Sequence, residues 1–294
     1  MSIVENLKRK LSEPRNDDML HFSQHLQHDR HAALYHAYGY PETRQTWQRI
    51  FPLVQGTGVH ETIHHTMDGL YPKYVGEHSI LAQDKRLNYR WGGTADAYME
   101  DETGKVWLLD YKTISGVGMS FLGDEPKPEH ILQVSAYYHF GPTQNCSTAV
   151  LYLPTGGDYK NRWEEPVLLE FEPVSKDELV ERMLTVERAC DEYVRTSRLP
   201  DAPPGQYKWK KRGGRSAHPL WKLSYVPHYH SLFCPWAPLD DDPCGCSLER
   251  QREIAECQYQ KITVYQESDM DLVKEIGGPD EKPVLSIHAQ IRTS

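Results

Sequence analysis

The spacing of apolar residues divides the first part of the chain into helices followed by strands. Residues 19–38 carry apolar side chains at helical spacing and predict a helix. A second helix is predicted over residues 57–70, because Gly69 and Pro72 mark its end. The period then changes to two, with many β-branched and aromatic residues. This pattern predicts three strands, over residues 74–82, 88–99 and 105–113.

A helix, two strands and a second helix follow along the next stretch. The pattern predicts helices over 128–140 and 175–197 and strands over 147–153 and 167–171. A meander followed by a crossover helix indicates an α+β fold with a central mixed sheet flanked by helices. A proline-rich linker over 199–205 ends this region. We therefore expect a core over 1–205, with an N-terminal helical segment, and a C-terminal lobe over 206–294 that packs on it.

Composition limits the kind of protein. Hydrophobic residues make up 38% of the chain and charged residues 26%, which is typical of a globular protein. No apolar run is long enough to cross a bilayer, and the N-terminus lacks the pattern of a secretory signal. We therefore expect no membrane partner and a cytoplasmic location. The net charge of −9 argues against a protein that simply coats polyanions, but an enzyme acting on nucleic acid depends on its local field.

One window, residues 206–222, is strongly basic and contains no carboxylate. Its cationic residues are Lys208, Lys210, Lys211, Arg212, Arg215 and Lys222. Trp209 and Trp221 are interleaved with them. Two interpretations stay open: a solvated loop, or an arm that contacts phosphates and stacks its aromatic rings on bases.

Two carboxylates are predicted to meet on the hairpin formed by the second and third strands. If the chain turns at Thr103, Asp96 lies opposite Asp110, and Lys112 shares the face of Asp110. Like charges this close are destabilising unless a cation holds them, and oxygen ligands suit Mg²⁺ or Mn²⁺. A solvated surface hairpin is the alternative, but residues 106–109 are apolar on both faces and indicate a buried strand. The pattern therefore predicts metal-dependent phosphodiester hydrolysis, with Lys112 either stabilising the charge that develops in the transition state or orienting the attacking water.

The same residues resemble a known family. Gly93-Thr94-Ala95-Asp96 followed by Asp110-Tyr111-Lys112-Thr113 resembles the signature of the PD-(D/E)XK nucleases, and of their RecB-like branch, which includes CRISPR-associated exonucleases. A G-x-x-x-H element from Gly56 to His60 and a Q-x-x-x-Y element from Gln133 to Tyr137 also match that branch, in the expected order. The resemblance covers residues 56–137 and implies a restriction-endonuclease-like core.

The resemblance also implies roles for individual residues. His60, Asp96 and Asp110 would bind the metal with the Tyr111 carbonyl, Lys112 would be the catalytic lysine, and Gln133 and Tyr137 would face the site and the nucleic acid. Ordinary helix packing is the alternative for the last two. The implied activity is a DNA exonuclease acting in recombination, repair or end processing. A structure-specific endonuclease and a non-catalytic DNA-binding module that kept the fold stay open.

The expected partner of such an exonuclease is DNA with free or single-stranded ends. The chain contains no G-x-x-x-x-G-K-[ST] loop, so unwinding of a duplex would require a helicase or recombination partner.

A competing motif overlaps the first of these elements. His60-Glu61-Thr62-Ile63-His64 fits the H-E-x-x-H pattern of zinc proteases. A zinc protease would need a third ligand and would leave Asp96, Asp110 and Lys112 without a role. We therefore expect Glu61 and His64 to complete this pattern by chance.

Three late cysteines, Cys234, Cys244 and Cys246, lie in a loop rich in proline and aspartate and predict a structural metal site. Part of the RecB-like branch holds an iron–sulfur cluster with one early and three late cysteines, but here His28 lies near the early position. His28 as fourth ligand favours Zn²⁺, whereas Cys257 makes a [4Fe-4S] cluster plausible again. Either metal would staple the C-terminal lobe to the core.

Overall fold

The computed structural model describes residues 17–39, 47–119, 122–156, 165–200, 206–211, 221–226 and 263–264. The chain divides into two compact units, Met1–Pro200 and Asp201–Ser294. Within the described residues, no helix combines the length and the apolar character that crossing a bilayer requires.

The first unit contains six helices and six strands among its described residues, numbered here in chain order. The helices are α1 Phe22–His25, α2 Asp29–Tyr38, α3 Trp47–Leu70, α4 Gly116–Met119, α5 Pro128–Phe140 and α6 Lys176–Thr196. The strands are β1 Leu20–His21, β2 Val75–Leu81, β3 Trp91–Glu100, β4 Val106–Ile114, β5 Ser147–Pro154 and β6 Val167–Phe171.

The strands form one mixed six-stranded sheet. β3 pairs with β2 in antiparallel fashion along one edge. Its other edge pairs with β1 in parallel at its start and with β4 in antiparallel fashion at its end. β5 then lies parallel to β4, and β6 pairs antiparallel to β5. The predicted α+β class with a mixed sheet flanked by helices is therefore confirmed.

The β3–β4 hairpin has the predicted register. Its turn is closed by the Asp101 carboxylate, which accepts hydrogen bonds from Thr103 N at 2.8 Å, Lys105 N at 3.1 Å and Trp107 Nε1 at 2.8 Å. Gly104 has a φ of 84°, a conformation that glycine adopts without strain. The paired positions run from Glu100 opposite Val106 to Ala97 opposite Leu109 and stop there, although both strands continue.

Helices cover both faces of the sheet. A buried cluster faces α3 and consists of Ala97, Met99, Leu109, Tyr111, Ala149 and Leu153. Val59 and Ile63 of α3 pack against it. Because side chains alternate along a strand, Asp110 and Lys112 lie on the opposite face, where α5 packs on β3, β4 and β5. The two helical layers therefore meet the sheet on either side of the point where β3 and β4 stop pairing.

Helix α6 is positioned by its cap and its apolar stripe. Ser175 accepts a hydrogen bond from Glu178 N and caps its first turn. Its fully buried side chains face α2 and α5 and are Leu179, Val180, Met183, Val186 and Cys190. This agrees with the predicted helix over 175–197.

A buried carboxylate on α6 fixes the start of β3. Glu187 is 1% exposed and accepts hydrogen bonds from Asn88 N at 3.0 Å, Tyr89 N at 3.1 Å and Trp91 Nε1 at 3.0 Å. Hydrogen bonds to a charged acceptor are stronger than neutral ones, and each donor would otherwise be left unpaired in the interior. Glu187 therefore ties the loop that enters β3 to the helical layer.

Two sequence predictions for the N-terminal region were wrong in part. Residues 19–38 do not form one helix: β1 pairs with β3, and the chain breaks between α1 and α2. The helix predicted to start at residue 57 begins at Trp47. Gly56 is accommodated inside it, because a Cβ there would lie 3.2 Å from Thr113 Oγ1 and the helix passes close to β4. In the first case strand pairing has outweighed local helix propensity, and in the second the helix continues through Gly56 despite the low helix propensity of glycine.

In the second unit, three described strands form an antiparallel sheet of their own. They are β7 Gln206–Lys211, β8 Trp221–Val226 and β9 Thr263–Val264. Of the two interpretations of the basic window, the loop does not describe Lys208, Lys210 and Lys211, which belong to β7. Lys210 is paired in register with Lys222. Arg212 and Arg215 lie outside the described residues.

Glu187→Ala should lower the free energy of unfolding by about 3 kcal/mol, because it leaves several buried donors without an acceptor. Glu187→Gln should cost less, since its carbonyl oxygen still accepts. Glu181→Ala is the matched control on the same helix, at a side chain that is 64% exposed. Urea unfolding followed by circular dichroism measures all three, and equal losses for Glu187→Ala and Glu181→Ala would contradict the anchoring role.

Candidate active site

Asp96 and Asp110 lie just beyond the last paired position of the β3–β4 hairpin. Asp96 Oδ2 accepts a hydrogen bond from Tyr111 N at 2.6 Å. At this point a side chain, and not the backbone of the partner strand, accepts the hydrogen bond from β4. Asp110 is 1% exposed, whereas the Asp96 side chain is 17% exposed. The two carboxylates that the hairpin register predicts to converge therefore lie at the opening between the two strands.

Residues of α5 and β4 hold the Asp110 carboxylate. Lys112 Nζ lies 2.8 Å from Asp110 Oδ2 and donates to Gln133 Oε1 at 3.1 Å. Gln133 Nε2 donates to Asp110 Oδ1 at 2.9 Å and to Tyr137 OH at 2.8 Å. Gln133 and Tyr137 are one turn apart on α5 and both are buried. Gln133 thus contacts both the carboxylate and the lysine.

The packing of α5 on β3 depends on Gly93. A Cβ at this position would lie 2.9 Å from Tyr137 Cε1 and 3.1 Å from Phe22 Cδ2. The glycine therefore lets the Tyr137 ring approach the strand that carries Asp96.

His60 approaches from the other helical layer. Its Nδ1 lies 3.7 Å from Asp96 Oδ1, and its ring meets the Tyr111 ring edge to face with centroids 5.8 Å apart. Since His60 lies on α3 and Gln133 on α5, groups from both faces of the sheet reach the opening between β3 and β4.

The two carboxyl groups have opposite pKa shifts. Burial raises the pKa of Asp110, and the nearby Asp96 adds to this rise, although the Lys112 ammonium opposes it. Burial also disfavours ionisation of Asp96. There, however, the nearby His60 imidazole, the charge of Lys112 and the hydrogen bond from Tyr111 N outweigh burial and lower the pKa. Such a divergence between neighbouring acids is common at functional sites.

The donor set fits a hard divalent cation. Carboxylate oxygens and an imidazole surround the opening, and Asp110 Oδ2 is buried without an aligned hydrogen-bond donor among the described residues. The described residues contain no group of three or more His, Cys, Asp or Glu side chains that are close enough together to hold a metal ion. A cation at this opening would have carboxylate ligands from Asp96 and Asp110, and His60 would have to approach them more closely.

The remaining predicted residues are distributed as follows. His64, the second histidine of the H-E-x-x-H pattern, contacts Tyr74 OH through Nδ1, and its ring lies 5.7 Å from that of Tyr111. His28 immediately precedes α2 as its N-cap residue. Cys234, Cys244, Cys246 and Cys257 lie outside the described residues, so the structural metal site stays a prediction.

Sequence reasoning did not single out His130 and Tyr152, which adjoin the site. His130 lies one turn before Gln133 on α5, and its Nδ1 is 2.7 Å from Tyr152 OH. Tyr152 pairs in register with Lys112 on the neighbouring strand. The spacing of His130, Gln133 and Tyr137 on one helical face was the available signal.

Comparisons with known proteins add little. No protein-family model matches the sequence, and no curated protein matches it. The crystal structure of SSO0001 is similar in part, with 15% sequence identity and a TM-score of 0.45 over 63% of this chain and 82% of that chain. A similarity of this size supports no conclusion about fold or function.

Lys112→Met should destabilise the protein by about 3 kcal/mol at neutral pH, because it leaves the buried Asp110 carboxylate without its cation. The pKa of Asp110 is already raised by burial, and losing the ammonium raises it further. A carboxyl whose pKa is raised by folding costs stability that grows as the pH rises from its unfolded-state pKa to the raised pKa, and a higher folded-state pKa extends this range. The loss should therefore be larger at pH ~7.5 than at pH ~5.

Adding Asp110→Asn to Lys112→Met should remove this pH-dependent part, which urea unfolding at the two pH values measures. Lys105→Met is the control, since Lys105 forms an exposed ion pair with Glu170. A pH-independent loss in Lys112→Met would show that the two side chains are not electrostatically coupled.

Proposed function

We propose that this chain is a metal-dependent deoxyribonuclease with a restriction-endonuclease-like core, which hydrolyses phosphodiester bonds from DNA ends. The observation that carries the proposal is the buried Asp110 carboxylate, paired with Lys112 and adjoining Asp96 at the opening between two strands. A buried charged cluster of this kind lowers the free energy of unfolding, so its presence favours a catalytic role over a structural one.

Asp96, Asp110 and His60 would hold Mg²⁺ or Mn²⁺, with the Tyr111 carbonyl as a further ligand. When bound, the cation polarises the phosphoryl group and lowers the pKa of a coordinated water. Gln133 keeps the Asp110 carboxylate and the Lys112 ammonium in fixed positions through hydrogen bonds to both.

Lys112 is suited to contact the substrate. Its ammonium has three N–H donors. One of these donates to Gln133 Oε1, and the ammonium forms an ion pair with Asp110 Oδ2, which leaves a donor for a phosphate oxygen. A donor fixed in this way stabilises charge that develops in the transition state. Tyr137 supports the same arrangement through its hydrogen bond with Gln133.

Other parts of the chain would serve DNA binding and assembly. Basic residues of the second unit would contact the DNA backbone and are Lys208, Lys210, Lys211, Arg212 and Arg215. A Zn²⁺ ion or a [4Fe-4S] cluster, held by the late cysteines with His28 or Cys257, would staple that unit structurally. A helicase or recombination partner would supply any unwinding.

The proposal is tested by digesting end-labelled linear DNA and closed circular DNA with Mg²⁺, Mn²⁺ or EDTA. We expect the linear DNA to be degraded with either metal, the circle to survive, and EDTA to stop the reaction. Nicking of the circle would indicate an endonuclease instead. Binding without cleavage in either metal would indicate a non-catalytic DNA-binding module and overturn the proposal.

Asp110→Asn should slow cleavage by roughly 10³-fold or more, because it removes a charged ligand at the reacting phosphate. Asp177→Asn is the matched control, at a side chain that is 88% exposed. Single-turnover rates compare the two variants at equal folded fraction. Equal rates would contradict the assignment of the site.

A further inference from the structure

His130 lies beside the candidate site without a role in the arrangement above. It is on the α5 face that also carries Gln133 and Tyr137, one turn closer to the start of the helix. Lys112 and Tyr152 are side by side on the parallel strands β4 and β5. Because Tyr152 OH contacts His130 Nδ1 at 2.7 Å, the imidazole lies next to Lys112 on this face.

The hydrogen bonds of Tyr152 determine the tautomer of His130. Lys127 N donates to Tyr152 OH at 3.1 Å, which occupies one acceptor position of the hydroxyl. The hydroxyl has a single proton, and His130 Nδ1 is its only acceptor among the described residues. Tyr152 is 1% exposed, so a hydroxyl that did not donate to Nδ1 would leave its own proton unpaired in the interior. This favours an unprotonated Nδ1, with the proton of the neutral ring on Nε2.

Nε2 is available to a ligand. Nε2 makes no hydrogen bond to any described residue. Among those residues it is also not a buried unpaired atom, which means that Nε2 is accessible to solvent. Burial, together with the charges of Lys112 and Lys127, lowers the pKa of His130 to about 3. The ring is consequently a neutral donor at physiological pH.

We propose that His130 donates a hydrogen bond from Nε2 to an oxygen of the phosphate group that Lys112 contacts, and that Tyr152 is a positioning residue that holds the ring in this tautomer. The inference rests on the proposed phosphodiesterase function. The same tautomer excludes His130 as the general base, because Nδ1 is occupied and Nε2 already carries a proton. A neutral donor adds a contact to the phosphate without repelling a divalent cation.

Three substitutions of His130 separate the donor from the bulk of the ring. His130→Gln keeps an acceptor for Tyr152 and a donor for the phosphate, and should retain cleavage within about 10-fold of wild type. His130→Glu offers acceptors only, and His130→Leu offers neither group, so each should slow single-turnover cleavage by about 100-fold. His139→Gln is the control, because His139 is on the same helix but contacts Val174 O.

Nitrogen-15 NMR of the histidine rings tests the tautomer without requiring activity. We expect His130 to show the neutral form protonated at Nε2 in wild type, and a mixture of tautomers in Tyr152→Phe. Protonation at Nδ1 in wild type would overturn the inference. Equal cleavage by the glutamine and glutamate variants would also overturn it, and this comparison holds even if the leucine variant fails to fold.

The experiments distinguish a failure of the proposed function from a failure of the role of His130. If wild type cleaves DNA and the His130 variants cleave equally well, only the role of His130 is wrong. If wild type cleaves no DNA with Mg²⁺ or Mn²⁺, the proposed function fails, and the phosphate contact of His130 fails with it.

Discussion

The burial of the Asp110 carboxylate beside a second acid is the constraint on which the rest of the site depends. A carboxylate in the interior costs several kcal/mol unless a cation and hydrogen bonds hold it. Lys112 supplies the charge at 2.8 Å and Gln133 the hydrogen bond at 2.9 Å. Asp96 reaches the same opening by bonding to the Tyr111 amide, in the place that a strand partner would otherwise occupy. The position therefore combines high electrostatic cost with access from outside, which suits the binding of a cation.

The fold creates this opening by ending one strand pairing early. β3 and β4 pair only near their turn, so the ladder stops at Ala97 while both strands continue along other neighbours. Helices on the two faces then bring His60 from one side and Gln133 from the other. Glu187, on a third helix, holds the chain where it enters β3. The position of Asp96 thus depends on packing well away from the carboxylates themselves.

Local signals in the sequence predicted much of this arrangement. The turn at residues 101–104 fixed the register that brings Asp96 towards Asp110, and the helix over 128–140 has the predicted bounds. Prediction from local sequence failed where long-range contacts outweigh the local preference for helix or strand. The break before α2 depends on β1 pairing with a distant strand, and the anchor at Glu187 joins residues far apart in the chain. The contact between His130 and Tyr152 likewise forms only when α5 packs on β5, so spacing along the chain could show a shared helical face but no partner.

The central claim is that Asp96 and Asp110 together hold a divalent cation. Calorimetric titration of Mn²⁺ into the full-length protein, without DNA, tests it most directly. Asp96→Asn and Asp110→Asn should each weaken binding by about 10- to 100-fold, since each removes a charged oxygen ligand. Asp177→Asn should bind as wild type does, because its side chain is exposed and pairs with Arg86 instead of with a residue of the site. Mn²⁺ binding with unchanged affinity in both site variants would contradict the account.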